Sequence, residues 1–288
     1  MKKILIIGVK GLLGPELARV FKDSRDYDVT GWDIPEIDIG DEASVNEKIS
    51  ALKPDIIINS AAYNAVDKAE EPEGFEVAKR INGLAPGYIA KVANALGALL
   101  VHYSTDYVFD GTKKEGYVEL DIPSPISRYG ESKYLGEVKV QENTERYYLI
   151  RLQKLFGMPS SNPNAKKSFF ETMLNLAKTQ DSFRVVDDEL ANFTYAPDLA
   201  KRTKYLIESG MPFGIYHITN EGAPVTWYGA ARILFDLAGI KDVQIIPVSS
   251  NEFPRPAKRP KYSILLNKKL EPLRSWPDAL REFLIEYK

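Results

Sequence analysis

Short runs of β-branched and other apolar residues recur through the first half of the chain, each followed by a longer stretch in which apolar residues return every three or four positions. The runs are "KILIIG" (3–8), "DVTGWD" (28–33), "DIIINS" (55–60), "ALLVHYS" (98–104) and "YYLIRL" (147–152). The helical patterns between them cover 12–22, 41–51, the stretch up to about 97, and 127–142. Strands that are apolar nearly throughout suit a parallel sheet covered on both faces by its crossover helices. The pattern predicts an α/β fold, a doubly wound parallel sheet of Rossmann type, over residues 1–153.

Beyond 153 the pattern loosens. A loop rich in Ser, Asn, Pro and Lys, "MPSSNPNAKKS", leads into a predicted helix at 168–179. A strand near 183–186, a helix near 197–208, a strand at 214–219, a helix at 226–238 and a strand at 243–248 follow. The segment "NEFPRPAKRPKYS" carries three prolines within seven residues and must be extended or turning. We expect a smaller interleaved C-terminal substrate lobe, made of 154–189 and 225–261. The chain is expected to return to the first domain over about 190–224 and 262–274, and to end in a helix at 275–288.

Composition narrows the function classes. With 288 residues and 44% hydrophobic content, the chain can bury a large core. A formal net charge of −2 leaves no global positive field for phosphate backbones or anionic lipid, so nucleic acid and membrane are disfavoured as partners. No apolar run reaches the roughly 18 residues that a membrane span needs. The opening "MKKILIIGVKG" reads as a buried first strand and not as a signal peptide. The absence of cysteine excludes disulfides, thiolate nucleophiles and Cys-based zinc sites, and is compatible with the cytoplasm.

The first candidate chemistry lies in "GVKGLLGPEL", where Gly8, Gly11 and Gly14 are spaced by three between a strand and a helix. Glycine there lets backbone approach a pyrophosphate, which the helix N-terminus attracts. Lys10, Leu12 and Leu13 belong to the same loop. Asp33 ends the second run, where a carboxylate accepts the ribose hydroxyls of an adenosine and so argues for NAD; Lys10 could offset a 2′-phosphate, so NADP stays open. Asp38 and Ile39 stand where adenine would lie, although an Asp before a helix is as often its cap.

The second lies in "SRYGESKYLGE". Tyr129 and Lys133 are one helical turn apart and share a face. Upstream, "VHYSTDYVFDG" delivers Ser104 and Thr105 to the carboxyl end of the fourth strand, the edge at which open α/β sheets bind ligands. A phenol with a pKa of about 10 needs roughly 3–4 kcal/mol to become an effective relay near neutrality. One ammonium at ~4 Å and an effective dielectric of ~20 supplies about 4 kcal/mol. These residues suit a carbonyl reductase in which Tyr129 gives a proton, Lys133 tunes it and Thr105 aligns the carbonyl.

Together the glycine loop, Thr105 and Tyr-x-x-x-Lys resemble the extended short-chain dehydrogenase/reductases. More narrowly, "INSAAYNAVDKAEE", "VHYSTDYVFDG", "SPISRYGESKYLGE" and "RPKYSILLNKKL" resemble the dTDP-4-dehydrorhamnose reductase family, strongly up to about 152 and patchily afterwards. The resemblance implies NADPH or NADH as cofactor and a nucleotide-linked 4-keto deoxysugar as substrate, dTDP-4-dehydro-L-rhamnose first; a homodimer is compatible with it. It implies Thr105, Tyr129 and Lys133 as catalytic, with Lys133 also on the nicotinamide ribose. It adds Ala61, Ala62, Tyr63 and Asn82 to the cofactor set, Asn82 being otherwise read as a solvent-facing polar residue. Asp106 and Tyr107 follow the threonine as in these reductases; Tyr107 stands where related dehydratases carry the glutamate of their elimination pair.

Two departures fall in the substrate half. The family's Arg-Thr-Ser-Trp-Val-Tyr-Gly reads "RLQKLFG", placing Lys154 at a tryptophan position, and its Asp-Gln-Tyr-Gly-x-Pro-Thr reads "DDELANFT". Lys154 stands either as a contact to a more anionic sugar or as a solvated surface lysine. In the basic cluster near 255–261, Arg259 is favoured as a diphosphate contact. Glu16 matches a ligand of a magnesium ion seen between subunits in part of the family, but no metal is assigned. His102, His217, Trp227 and Tyr228 read as packing residues. Reduction of a different 4-keto nucleotide sugar, or a non-catalytic dinucleotide-binding regulatory subunit of the same fold, stay as alternatives.

Overall fold

The computed structural model describes residues 1–160, 162 and 166–287. In chain order, β1 (Lys2–Ile7), α1 (Gly14–Lys22), β2 (Tyr27–Trp32), α2 (Glu42–Leu52), β3 (Ile56–Asn59), α3 (Pro72–Ala78) and α4 (Ala85–Leu96) come first. They are followed by β4 (Leu99–Thr105), α5 (Arg128–Asn143) and β5 (Tyr147–Leu152). The second half contributes β6 (Leu155–Phe156), α6 (Phe169–Ala177), β7 (Ser182–Val186), β8 (Leu190–Ala191), β9 (Thr194–Tyr195) and α7 (Ala196–Ser209). It closes with β10 (Gly214–His217), β11 (Val225–Thr226), α8 (Trp227–Ala238), β12 (Gln244–Val248) and α9 (Trp276–Glu286). Four residues of the Ser/Asn/Pro loop (161 and 163–165), and residue 288 of the predicted terminal helix, lie outside the described residues.

Six strands form one parallel sheet in the order β2-β1-β3-β4-β5-β10. The apolar runs explain why both faces are covered. Leu5, Ile7, Ile57 and Leu100 point towards Val45, Ile49, Ile89 and Ala93 of α2 and α4. Their neighbours Ile4, Ile6, Ile58, Val101 and Ile150 face Leu17 and Phe21 of α1 and Leu199 and Leu206 of α7. Successive residues of a strand therefore feed two separate cores.

A third core lies outside the sheet. Phe156, Phe170, Phe193, Leu234, Phe235, Trp276 and Phe283 pack together from α6, α8, α9 and the short strands. Of the two expected returns, the first places β10 beside β5, with Gly214 opposite Tyr148. The second, 262–274, adds no strand to the six-stranded sheet; it makes isolated bridges, Leu190 with Tyr262 and Tyr117 with Leu265.

Candidate active site

The chain runs outward from β1 to β2, then crosses back so that β3 lies on the other side of β1. At such a switch point the loops after the two central strands diverge and leave a crevice at the carboxyl edge. Gly8 ends β1 there with φ +85°, in the left-handed region, and a Cβ on it would lie 2.7 Å from the Ala61 nitrogen after β3. Gly14 starts α1 against the Gly8 carbonyl, which a Cβ would meet at 2.3 Å. The residue before α1, Leu13, offers no side-chain cap, so the helix N-terminus keeps free N–H groups for an anion. This bare, close-packed turn fits a dinucleotide pyrophosphate.

The adenosine side of the crevice is built by β2 and its loop. Asp33 accepts from the Lys10 backbone N–H at 3.0 Å, joining the end of β2 to the glycine loop. Asp38 accepts from Gly40 N at 2.9 Å and from the Arg80 guanidinium at 3.0 Å, and Arg80 holds its carboxyl below the ordinary range. Ile39 is buried in the core beneath. Arg80 carried no signal in the sequence, because its approach to Asp38 spans a crossover.

The solvent-facing reading of Asn82 does not hold. It lies in a π-helical turn, Lys79–Leu84, between α3 and α4, and is fully buried. Its Oδ1 accepts from Tyr63 N at 2.8 Å, while Nδ2 donates to Tyr63 O at 3.0 Å and to Ser132 Oγ at 3.1 Å. Its amide group thus bonds the loop after β3 at Tyr63 and α5 at Ser132, so it clamps that loop from behind. It is not solvent-facing.

The reacting end is set by β4 and α5. In register, Ile7, Asn59 and His102 lie abreast, so Thr105 stands three residues further along β4 than the line where β1 and β3 end. Ser127 caps α5 by accepting from Gly130 N at 3.2 Å, and the bare Gly130 lets the first turn approach the Tyr107 carbonyl, which a Cβ would meet at 2.3 Å. Tyr129 is thereby held edge-on to Tyr107, with ring centroids 5.6 Å apart, and its hydroxyl donates to Asn64 Oδ1 at 3.4 Å. Thr105 Oγ1 donates to Asp106 Oδ1 at 2.9 Å and accepts from Tyr107 N at 3.2 Å.

Burial governs both members of the Tyr129–Lys133 pair. Its ammonium donates to the Tyr103 carbonyl at 2.6 Å, and burial lowers its pKa to about 8 against the pull of Glu137. The phenol of Tyr129 is raised, first by burial and then by Asp106 and Tyr107, with Thr105 opposing. Desolvation of a phenolate in this setting is the largest influence on it. A raised phenol keeps its proton across neutrality, as a proton donor has to, and the Lys133 ammonium one helical turn further along α5 is tied to the β4 backbone.

The substrate candidates fare unequally. Asp106 is buried and pushed up to about 6 by burial, offset by hydroxyls and by Lys154. Arg259 reaches the rim, but its guanidinium is forked onto Asp67 at 2.7 and 2.8 Å and also donates to Ala257 O. Lys154 is not a solvated surface lysine: its ammonium is buried, and burial lowers its pKa to about 7. Trp227 packs on Phe169 and Phe193, as expected of a core residue. Its indole N–H donates to Glu189, which also binds Arg255. His102 and His217 are buried and held neutral by desolvation, His102 against Asn59 and His217 against the carbonyls of Tyr117 and Leu266. Glu16 pairs with Arg19 at 2.7 Å.

Asn64 and Glu189, like Arg80, are polar groups of this region that sequence reading missed. A loop asparagine and a strand-flanking glutamate have no spacing that marks them.

A sheet-edge dinucleotide crevice with a protonated phenol and a hydrogen-bonding threonine at its reacting end defines a Rossmann-type, nicotinamide-dependent oxidoreductase of the extended short-chain dehydrogenase/reductase class. Within that class the assignment is specific. The family model described as the RmlD substrate binding domain matches residues 1–288, and the chain belongs to that family. The spore coat polysaccharide biosynthesis protein SpsK of Bacillus subtilis (strain 168) is 37% identical over 290 residues, covering 99% of this chain and 98% of that protein. The dTDP-4-dehydrorhamnose reductase of Burkholderia thailandensis is 35% identical over 288 residues, covering 93% and 92%. The crystal structure of dTDP-4-dehydrorhamnose reductase from Bacillus anthracis str. Ames in complex with NADP superposes with a TM-score of 0.92, at 35% identity and 99% coverage of both chains.

Proposed function

We propose that this protein reduces the 4-keto group of dTDP-4-dehydro-L-rhamnose to give dTDP-L-rhamnose, using NADPH or NADH. The carrying observation is the placement of Tyr129 and Thr105 on adjoining elements, with Thr105 at the carboxyl end of β4, two strands from the Gly8–Gly14 turn that follows β1. Bound on that cradle, the reduced nicotinamide supplies the hydride. Gly8, Gly11 and the α1 N-terminus would receive the dinucleotide pyrophosphate, Asp33 and Lys10 would meet the adenosine ribose, and Lys133 would hold the nicotinamide ribose. Thr105 would turn its one hydroxyl hydrogen from Asp106 to the keto oxygen and so fix its direction. Tyr129, protonated at neutral pH, gives its proton to the same oxygen as charge develops there. In this reading residues 1–153 hold the dinucleotide, while 154–189 and 225–261 close over the nucleotide sugar.

The test is cofactor oxidation with purified dTDP-4-dehydro-L-rhamnose and with other 4-keto nucleotide sugars, each with NADH and NADPH. The proposal expects turnover of the rhamnose precursor with the highest kcat/KM. Cofactor binding without turnover of any keto sugar would favour a regulatory subunit instead.

A further inference from the structure

Lys154 follows β5 with φ +41°, a conformation that L side chains rarely adopt. The turn directs its side chain inward. The ammonium lies 3.6 Å from the centroid of the Trp227 ring and 5.6 Å from that of Phe193, is sealed from solvent, and has no hydrogen-bond partner among the described residues. An ammonium carries three donors, and a ring face satisfies none of them as a hydrogen bond. A buried polar group left in this condition on a strained turn is a feature that calls for a ligand.

The charges around it say what kind. Asp106 and Glu189 draw the ammonium, and Arg255 opposes it. Glu189 is already occupied by the Trp227 indole and by Arg255. Asp106 has one oxygen on Thr105; the other, Oδ2, is buried and makes no hydrogen bond of good geometry, although the Ser263 hydroxyl also draws on the carboxylate. The buried ammonium and the buried carboxylate next to Thr105 therefore attract each other with no hydrogen bond joining them among the described residues. A sugar carboxylate placed there would face Asp106 and Glu189. A hydroxyl would accept from Lys154 and donate to Asp106, satisfying both.

We propose that Lys154 and Asp106 form a donor–acceptor subsite for the hydroxyl next to the keto carbon of a neutral 4-keto hexose, and that this subsite sets which sugar the protein reduces. In a 4-keto pyranose that hydroxyl is on C3, because C5 carries the ring oxygen. Asp106 adjoins Thr105, the residue that aligns the carbonyl, so the subsite and the keto oxygen are neighbours. The subsite rests on the reductase reading above, and it excludes the more anionic sugar that Lys154 first suggested.

The test compares kcat/KM for dTDP-4-dehydro-L-rhamnose and its 3-deoxy analogue in the wild type, Lys154→Met and Lys154→Gln, with NADPH affinity measured for each. A site built to bond a hydroxyl rejects the analogue that lacks it, so the wild type should prefer the hydroxylated sugar by roughly a hundredfold or more. Lys154→Met should bring that preference within about tenfold, by losing activity on the hydroxylated sugar alone. Lys154→Gln, which keeps a donor, should fall between them. Unchanged NADPH affinity shows that a variant is folded, and the glutamine variant decides if the methionine variant is not. A preference that is the same in all three proteins overturns the subsite while leaving the reductase reading intact. Failure of the wild type to reduce either sugar while binding NADPH overturns both.

Discussion

Replacing Lys133 by methionine separates what this lysine does to stability from what it does for chemistry. Burial lowers the pKa of its ammonium from 10.5 to about 8. That gap corresponds to about 3 kcal/mol by which folding disfavours the charged form. Between those two values the unfolded chain holds the proton and the native one has released it, so this group's contribution to stability rises with pH across the window; below pH 8 the cost is fully present. Methionine has no charge to desolvate. The stability of the wild type relative to Lys133→Met should therefore increase by about 2.5 kcal/mol between about pH 7 and about pH 10. Comparing the two proteins at each pH cancels the titrations they share, and urea unfolding reads the difference. Turnover should move the other way. As the ammonium that holds the Tyr103 carbonyl at 2.6 Å loses its proton, wild-type kcat should fall above pH 8. A stability difference that stays flat to within about 0.5 kcal/mol over that range would refute the claim that Lys133 is buried charged.

Three further outcomes are expected. Tyr129→Phe removes the proton donor and should lower kcat by ~10²–10⁴ with NADPH affinity unchanged, and, because its bond to Asn64 is long at 3.4 Å, with little effect on the melting temperature. Arg151→Met leaves Glu137 as an unpaired charge in a site where the two are 1% and 0% exposed and joined at 2.7 Å. The cost should be about 3–5 kcal/mol, seen as a melting temperature roughly 5–8 °C lower, and much of it should return in Arg151→Met with Glu137→Leu. Gly8→Ala forces a Cβ to 2.7 Å from the Ala61 nitrogen at φ +85°, and titration calorimetry should show dinucleotide binding lost while the chain still folds.

Periodicity was enough to locate the sheet. Runs such as "DIIINS" and "YYLIRL" can bury both faces only between two helical layers, so strand content, parallel pairing and the carboxyl edge as the ligand edge were all legible before any coordinates. The glycine loop and the Tyr129–Lys133 pair were legible for a related reason, since their chemistry depends on spacing within one element. Folding decided what depends on residues far apart in the chain. Asn82 became a buried clamp on Tyr63 and Ser132, and Arg259 was captured by Asp67, 192 residues away. Desolvation raised the Tyr129 phenol, and Lys154 turned inward beneath Trp227. Spacing along a helix or strand is a local property that a sequence carries in full. The dielectric around a group, and the partners that reach it from other elements, exist only once the chain has closed on itself.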